Sequence, residues 1–281
     1  RQGRLPVTTF TDPEWKLGDV EEGFKKAALI LDETFVSANV SHQCLESRTA
    51  MAFWQNGKLH IHTSTQGVAQ AVFSFVRWLE LKPEDVVLVN AYTGGGYGSK
   101  GGGSITDIIP ALLSKKLGGA PVMMRISREE EHAIGRARPA MHSRLKVGFT
   151  KEGRITAVDM FTVTEGGPFG PGGDGNTASG YASLMYQPET FRYRGITAIT
   201  NTPPRGALTQ PGGFQGCLIM DEIVDKAARK LGIDQVAIRK LNAPEGKAKF
   251  GPANARGERG YVTSCFIKEA LDKGAARFNW N

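Results

Sequence analysis

Apolar and polar positions alternate in two neighbouring stretches, Met51-Ala52-Phe53-Trp54 and Leu59-His60-Ile61-His62, with Asn56-Gly57 between them. Period-two patterning around Asn-Gly predicts a β-hairpin, because both turn residues tolerate the positive φ of a tight primed turn. The period then lengthens: Val68, Val72, Phe75, Val76 and Leu79 share one face of a helix read over 66–79. Upstream, Asp19-x-x-Glu22 has the form of a capping box, and Phe24, Ala27, Ala28 and Leu31 extend an apolar stripe, so a helix is expected through Leu31. Val86-Val87-Leu88-Val89 reads as a buried strand. Ser104 is expected to cap a helix that carries Pro110, runs through Leu112-Leu113 to Leu117 and stops at Gly118-Gly119. Gly166–Gly180, containing Pro168, Phe169, Pro171 and Asp174, reads as the longest irregular stretch, either a surface loop or a channel rim. A second irregular region spans 244–260, before a last helix from Ser264 to Phe278. Helices interleaved with strands, without internal repeats or a clear interdomain linker, give an α+β (mixed α/β) class.

The densest departure from this patterning is Thr93-Gly94-Gly95-Gly96-Tyr97-Gly98-Ser99-Lys100-Gly101-Gly102-Gly103, seven glycines in eleven residues. A strand before it and a helix start after it place bare backbone where N–H groups and the helix dipole favour an anion, so a phosphate-bearing cofactor is expected. A P-loop is excluded, because Lys100 lies between Ser99 and Gly101 and lacks the flanking Gly and Ser or Thr. Gly96-x-Gly98-x-x-Gly101 fits the dinucleotide fingerprint formally. The acidic residue expected about 20 positions on is replaced by Lys115-Lys116-Leu117-Gly118, and Glu129-Glu130-Glu131 come later. A nicotinamide-dependent dehydrogenase and a purely structural glycine turn stay open at this point.

Composition narrows the classes. The 281 residues, 40% hydrophobic, suffice for one large or two small cores, and no apolar run is long enough to span a membrane. The N-terminus has no signal-peptide core. The net charge of +7 comes from dispersed Lys and Arg without an aromatic-basic patch, which argues against nucleic acid and for a solvated surface that also suits an anionic cofactor. Cys44, Cys217 and Cys265 form no paired motif, so the chain builds neither a zinc site nor an iron–sulfur cluster, and reduced thiols are expected. His60 and His62 share a strand face, which is more simply a polar face than a metal pair; His42, His132 and His142 are isolated.

Gly94-Gly95-Gly96-Tyr97-Gly98-Ser99-Lys100 resembles the GGGFGGK motif of the molybdopterin-binding subunit of the xanthine dehydrogenase and aldehyde oxidoreductase family. Other blocks resemble that family's in order: Ser64-Thr65-Gln66; Ser127-Arg128-Glu129-Glu130-Glu131; Arg136-Ala137-Arg138-Pro139-Ala140-Met141; a hairpin with Arg144–Phe149 as its first arm and its turn at Lys151-Glu152-Gly153; Asn201-Thr202-Pro203-Pro204-Arg205-Gly206-Ala207 with Pro211-Gly212-Gly213-Phe214-Gln215; and a helix from Lys226-Ala227-Ala228 through Leu231-Gly232-Ile233-Asp234. The resemblance implies a molybdenum-cofactor-binding domain with mixed sheets and flanking helices, residues 1–281 forming the first of two molybdopterin-binding lobes. The start at Arg1-Gln2 and the end at Trp280-Asn281 fit a piece of a larger subunit, with the second lobe and its base glutamate on another chain or segment. The implied activity is hydroxylation of an aldehyde or N-heteroaromatic substrate with water as the oxygen source. Electrons would pass to [2Fe-2S] clusters and FAD on partner subunits, in a bacterial enzyme of the cytoplasm or, alternatively, the periplasm. The cofactor is molybdopterin, with or without a cytosine nucleotide.

Carried over residue by residue, the resemblance gives Gln66 an amide near the metal's oxo ligand; its alternative is satisfying local backbone. Gly95, Gly96, Tyr97 and Gly98 form the loop around metal and pterin, with Tyr97 replacing the usual Phe or else packing into the core. Arg138 matches a substrate-facing arginine of purine-oxidising members; its alternative is an ion pair with Glu129–Glu131. Two departures stand out. Gly101 occupies the place of a glutamate in purine-oxidising members, and Leu208-Thr209-Gln210 replaces Phe-Arg-Gly, leaving the Thr209 backbone N–H to serve the cofactor. No catalytic residue is expected within this chain, and a non-catalytic scaffold subunit remains an alternative.

Overall fold

The structure is a computed structural model that describes residues 8–170 and 172–280; Arg1, Gln2, Pro171 and Asn281 lie outside the described residues. Two compact units emerge. One takes the chain up to Asn39, Pro139–Thr200 and Gln210 onward; the other takes Val40–Arg138 and Asn201–Thr209. The chain passes between them four times, which is why no single linker is visible in the sequence.

In the second unit, strands Val86–Val89, Lys58–Thr63, Thr49–Gln55 and Val122–Arg125 form a sheet in that order. The expected hairpin is present, with Ala50 opposite Thr63 and Asn56 and Gly57 at φ 51° and 76° in the turn. Alternation puts Ala52, Leu59 and Ile61 on one face, where they are buried with Ala71 and Phe75 of helix Val68–Leu79 and Ala111 of helix Ile105–Lys116. Burying Phe75 completely contributes roughly 1.5–3 kcal/mol. The first of these helices begins two residues later than its apolar period suggests, because the Gln66 N–H donates to the Lys100 carbonyl at 2.8 Å. On the opposite face Phe53 stacks on His60 with centroids 4.7 Å apart. Among the described residues no group of three or more His, Cys, Asp or Glu could hold a metal ion.

The first unit is built on a six-stranded sheet ordered Thr9–Thr11, Thr190–Ala198, Ile155–Glu165, Met141–Phe149, Leu29–Ser37, with Trp15–Leu17 also paired to Thr190–Ala198. Helices Asp174–Met185 and Gly213–Leu231 supply Ala178, Ala182, Met220, Ile223 and Val224 to its core, against Leu145, Val147, Met160, Phe191 and Tyr193.

Three expectations are corrected here. The helix opened by Asp19, whose carboxylate accepts from the N–H groups of Glu21 and Glu22, ends at Lys25. Leu29–Ser37 is a strand instead, because pairing along Met141–Phe149 outweighs the helical spacing of Ala27, Ala28 and Leu31. The stretch 166–180 is not one irregular loop: Gly167–Phe169 forms a single turn and Asp174 opens a twelve-residue helix. Its glycines and serines disguised it, yet a glycine here permits close packing, since a Cβ on Gly175 would lie 2.4 Å from the Tyr193 hydroxyl, and the partner helix Gly213–Leu231 likewise needs Gly216, whose Cβ would lie 2.3 Å from the Ala178 carbonyl oxygen. Within 244–260, Lys249–Ala253 pairs with Arg259–Tyr261.

Candidate functional site

The glycine loop joins strand Val86–Val89 to helix Ile105–Lys116 within the second unit. Gly95, Tyr97 and Gly98 adopt φ values of 97°, 54° and 113°, a winding that favours glycine and costs Tyr97 about 1–3 kcal/mol. Tyr97 is 53% exposed, so it is not core packing.

Gln66 is the hub of the loop. Its Oε1 accepts from the N–H of Gly98 at 2.9 Å and of Lys100 at 3.3 Å. With the oxygen identified by two N–H donors, the amide orientation is fixed, and the exposed Nε2 has no hydrogen-bond partner among the described residues. The backbone N–H groups of Gly95, Gly96 and Tyr97 likewise meet no acceptor among the described residues, although Gly96 is buried. Three successive donors without a partner in the loop that the Gln66 amide holds make a set of donors suited to an acceptor-rich group.

The second loop, Asn201–Thr209, closes against the first. A Cβ on Gly98 would lie 2.1 Å from the Ala207 carbonyl oxygen, so only glycine allows this approach. The Thr209 N–H donates to the Tyr97 carbonyl at 3.0 Å. This N–H, expected to serve a cofactor, joins the two loops here. Arg138, 7% exposed, directs Nη2 to the carbonyls of Leu208 at 2.7 Å and Thr209 at 2.9 Å and so braces the same turn.

Struts to which no role was assigned from the sequence hold the loop from behind. Lys100, 3% exposed, places Nζ 2.8 Å from Glu46 Oε2 and 3.0 Å from the Glu46 carbonyl. The same carboxylate oxygen accepts the Gly94 N–H at 2.7 Å, so Glu46 ties together both ends of the loop. Burial pushes the Glu46 carboxyl up, but hydrogen bonds from Lys100, Gly94 and Ser64 outweigh it and hold the group below its ordinary value. Arg48, ion-paired with buried Glu131, donates to the Ser99 carbonyl at 2.8 Å. Partners 54 and 83 residues apart leave no local periodicity to detect.

The helix start after the loop is not the expected anion site. Asp107, 5% exposed, already places Oδ2 2.6 Å from the Ser104 N–H and accepts from the Thr63 hydroxyl at 2.6 Å through Oδ1. Burial pushes this carboxyl up in spite of those bonds. Strand Val86–Val89 also lies at one sheet edge, with two strands between it and Val122–Arg125 at the other, the strand that the following helix reaches. A dinucleotide fold needs the strand that follows the helix to pair in parallel with the strand before the loop, whereas the parallel neighbour of Val86–Val89 is Lys58–Thr63, which precedes it in the chain.

Residues 4–243 match the molybdopterin cofactor-binding domain family. The chain belongs to that family. The geometry suits such a cofactor: Gly95, Gly96 and Tyr97 offer N–H groups and Gln66 an amide nitrogen, while Tyr97 presents an aromatic face. The aldehyde oxidoreductase molybdenum-binding subunit PaoC of Escherichia coli (strain K12) is 29% identical over 273 residues, covering 95% of this chain and 35% of its own length. The nicotinate dehydrogenase large molybdopterin subunit of Eubacterium barkeri is 29% identical over 238 residues, covering 83% of this chain and 55% of its own. Quinoline 2-oxidoreductase from Pseudomonas putida 86 superposes with a TM-score of 0.84 at 20% identity, over 97% of this chain and 35% of that one, a likeness of fold. The chain thus spans about a third of the curated relatives it matches first. Among the described residues no helix is long and apolar enough to cross a membrane.

Proposed function

We propose that this chain is the first of two molybdopterin-binding lobes of a molybdenum hydroxylase that oxidises an aldehyde or N-heteroaromatic substrate with water as the oxygen source. The observation that carries this reading is the set of donors: three unpaired N–H groups at Gly95, Gly96 and Tyr97 in the loop that the Gln66 amide holds. A pterin and a metal's oxygen ligands are rich in acceptors and match it. When bound, the cofactor supplies two-electron redox chemistry and activates water toward an electrophilic carbon. Gln66 donates to a cofactor acceptor with its own oxygen anchored, so its position is set before binding. Tyr97 covers the cofactor with its ring, and Glu46 with Lys100 keeps the loop ends together. Arg138 enters as the brace of the second loop, and a contact with substrate is tested below. The base comes from the second lobe, and [2Fe-2S] and FAD subunits of a cytoplasmic complex take the electrons. PaoC and the nicotinate dehydrogenase subunit, by their names, favour aldehyde and N-heteroaromatic substrates.

The test is metal analysis with pterin fluorescence on the assembly purified through this chain from its native host. Stoichiometric molybdenum and pterin, with iron and flavin, are expected, and release of a cytosine nucleotide would identify the pterin form. An intact assembly without molybdenum would overturn the reading and favour a scaffold role.

A further inference from the structure

The peptide bond between Thr65 and Gln66 is gripped at both edges. On one side the Gln66 N–H donates to the Lys100 carbonyl at 2.8 Å; on the other, Asn90 Nδ2 donates to the Thr65 carbonyl at 2.8 Å. The parallel ladder between Lys58–Thr63 and Val86–Val89 ends at His62 opposite Val89, and Thr65 lies beyond that last pair. Asn90, the next residue after Val89, supplies a donor there from its side chain. A carbonyl only accepts, so the amide nitrogen must face Thr65, which leaves Oδ1 to take the Thr93 hydroxyl at 3.1 Å. Thr65 is 4% exposed, and a carbonyl stranded at such a place is costly.

We infer that Asn90 is a positioning residue: it fixes the plane of the peptide before Gln66 and through it the direction in which the Gln66 side chain leaves the backbone. What this means for the cofactor rests on the reading above; the hold on Gln66 does not. The peptide is rigid, so its plane sets where the Gln66 side chain starts. From there Oε1 has to land 2.9 Å from the Gly98 nitrogen and 3.3 Å from the Lys100 nitrogen. A Thr65 carbonyl without its donor lets the plane tilt, and the amide nitrogen that serves the cofactor moves with it.

Two substitutions separate a positioning donor from a residue that fills space. Asn90→Asp keeps the shape and removes the donor; its carboxylate also draws the Thr93 proton to itself, so the Thr65 carbonyl has none. Asn90→Ala removes the shape yet frees the Thr93 hydroxyl, 3.3 Å from the Thr65 carbonyl, to donate there instead. A positioning donor makes Asn90→Asp the more damaging change, and a packing role makes it Asn90→Ala.

Both variants are made in the complete protein carrying this chain. Hydrogen exchange of the Gly98 and Lys100 amides, read by mass spectrometry on peptides spanning 95–100, needs no cofactor. It is expected to quicken roughly tenfold in Asn90→Asp, the loss of about one hydrogen bond, and less in Asn90→Ala. Amides of the hairpin over 49–63 are expected to stay unchanged. In the assembled enzyme Asn90→Asp is expected to lower kcat by roughly 10–100-fold with KM unchanged, because the displaced group faces the cofactor and not the substrate. Unaltered exchange in Asn90→Asp, a larger effect from Asn90→Ala, or faster exchange spread across the hairpin overturns the positioning. So does a normal kcat for Asn90→Asp in an assembly that holds molybdenum. Local, faster exchange in Asn90→Asp beside a parent assembly without molybdenum keeps the positioning and overturns the cofactor reading.

Discussion

The side-chain oxygen of Gln66 and the backbone nitrogen of Gly98 are 2.9 Å apart, so one residue both seals the glycine loop and aims its remaining donor outward. These two duties separate by substitution. Gln66→Glu keeps an acceptor for the Gly98 and Lys100 N–H groups and loses the outward N–H, so the thermal midpoint is expected to hold. Turnover of the assembled enzyme falls by roughly 10²–10³, the usual effect of removing one preorganised donor. Gln66→Ala loses both duties and destabilises by about 1–3 kcal/mol, because it strands loop N–H groups. Unchanged turnover in Gln66→Glu would remove Gln66 from the site.

Gly98→Ala tests whether the two loops need backbone contact. The new Cβ meets the Ala207 oxygen at 2.1 Å at a φ of 113°, and neither can yield without opening the loops. We expect a loss of about 2–5 kcal/mol from strain and overpacking together and a purified protein depleted in molybdenum. Denaturant titration and metal analysis check this; wild-type metal content would show that the contact is dispensable.

Glu46 predicts an acid response. Its carboxyl is held below the ordinary value in the folded protein, so its stabilising contribution is present at neutral pH and is lost as pH falls through the folded value. Glu46→Ala strands the buried Lys100 ammonium, at a cost of about 3–5 kcal/mol at neutral pH, and removes part of the acid sensitivity. Combining Glu46→Leu with Lys100→Met recovers most of that loss. If the double variant is no more stable than Glu46→Ala, the pair is not what holds the loop ends.

Arg138 is either a brace alone or a brace that also touches substrate. Arg138→Lys cannot fork between the Leu208 and Thr209 carbonyls, so a brace alone predicts lower stability, by about 1–3 kcal/mol, with KM unchanged. A rise in KM with normal stability, measured by steady-state kinetics beside thermal unfolding, would restore the substrate role.

Gly101 is exposed and its Cβ position is 3.7 Å from the nearest atom, the Gly98 carbonyl oxygen. Gly101→Glu therefore folds with stability within about 0.5 kcal/mol of the parent. If this position governs choice of ring, the variant gains activity on purines relative to the parent, read as a ratio of kcat/KM values; no change in that ratio would place the choice elsewhere.

Local rules were legible along the chain wherever a short window contains the whole cause. Asn56-Gly57 fixed a hairpin, Ser104 and Asp107 a helix start, and the glycines of 94–98 a loop whose backbone stays bare. The resemblance carried by that loop also located Gln66 and the family. What those windows lack is competition and distance. Leu31 has helical spacing, yet sheet pairing took it; Gly175 and Gly180 look like breakers until their helix packs on its neighbours. The Thr209 N–H looked available until Tyr97 claimed it, and Asp107 occupied the helix start meant for an anion. His42, Glu46 and Arg48 carry no pattern at all. Their partners lie up to 165 residues away, so only the topology brings donor to acceptor and decides that isolated polar residues become the struts of the site.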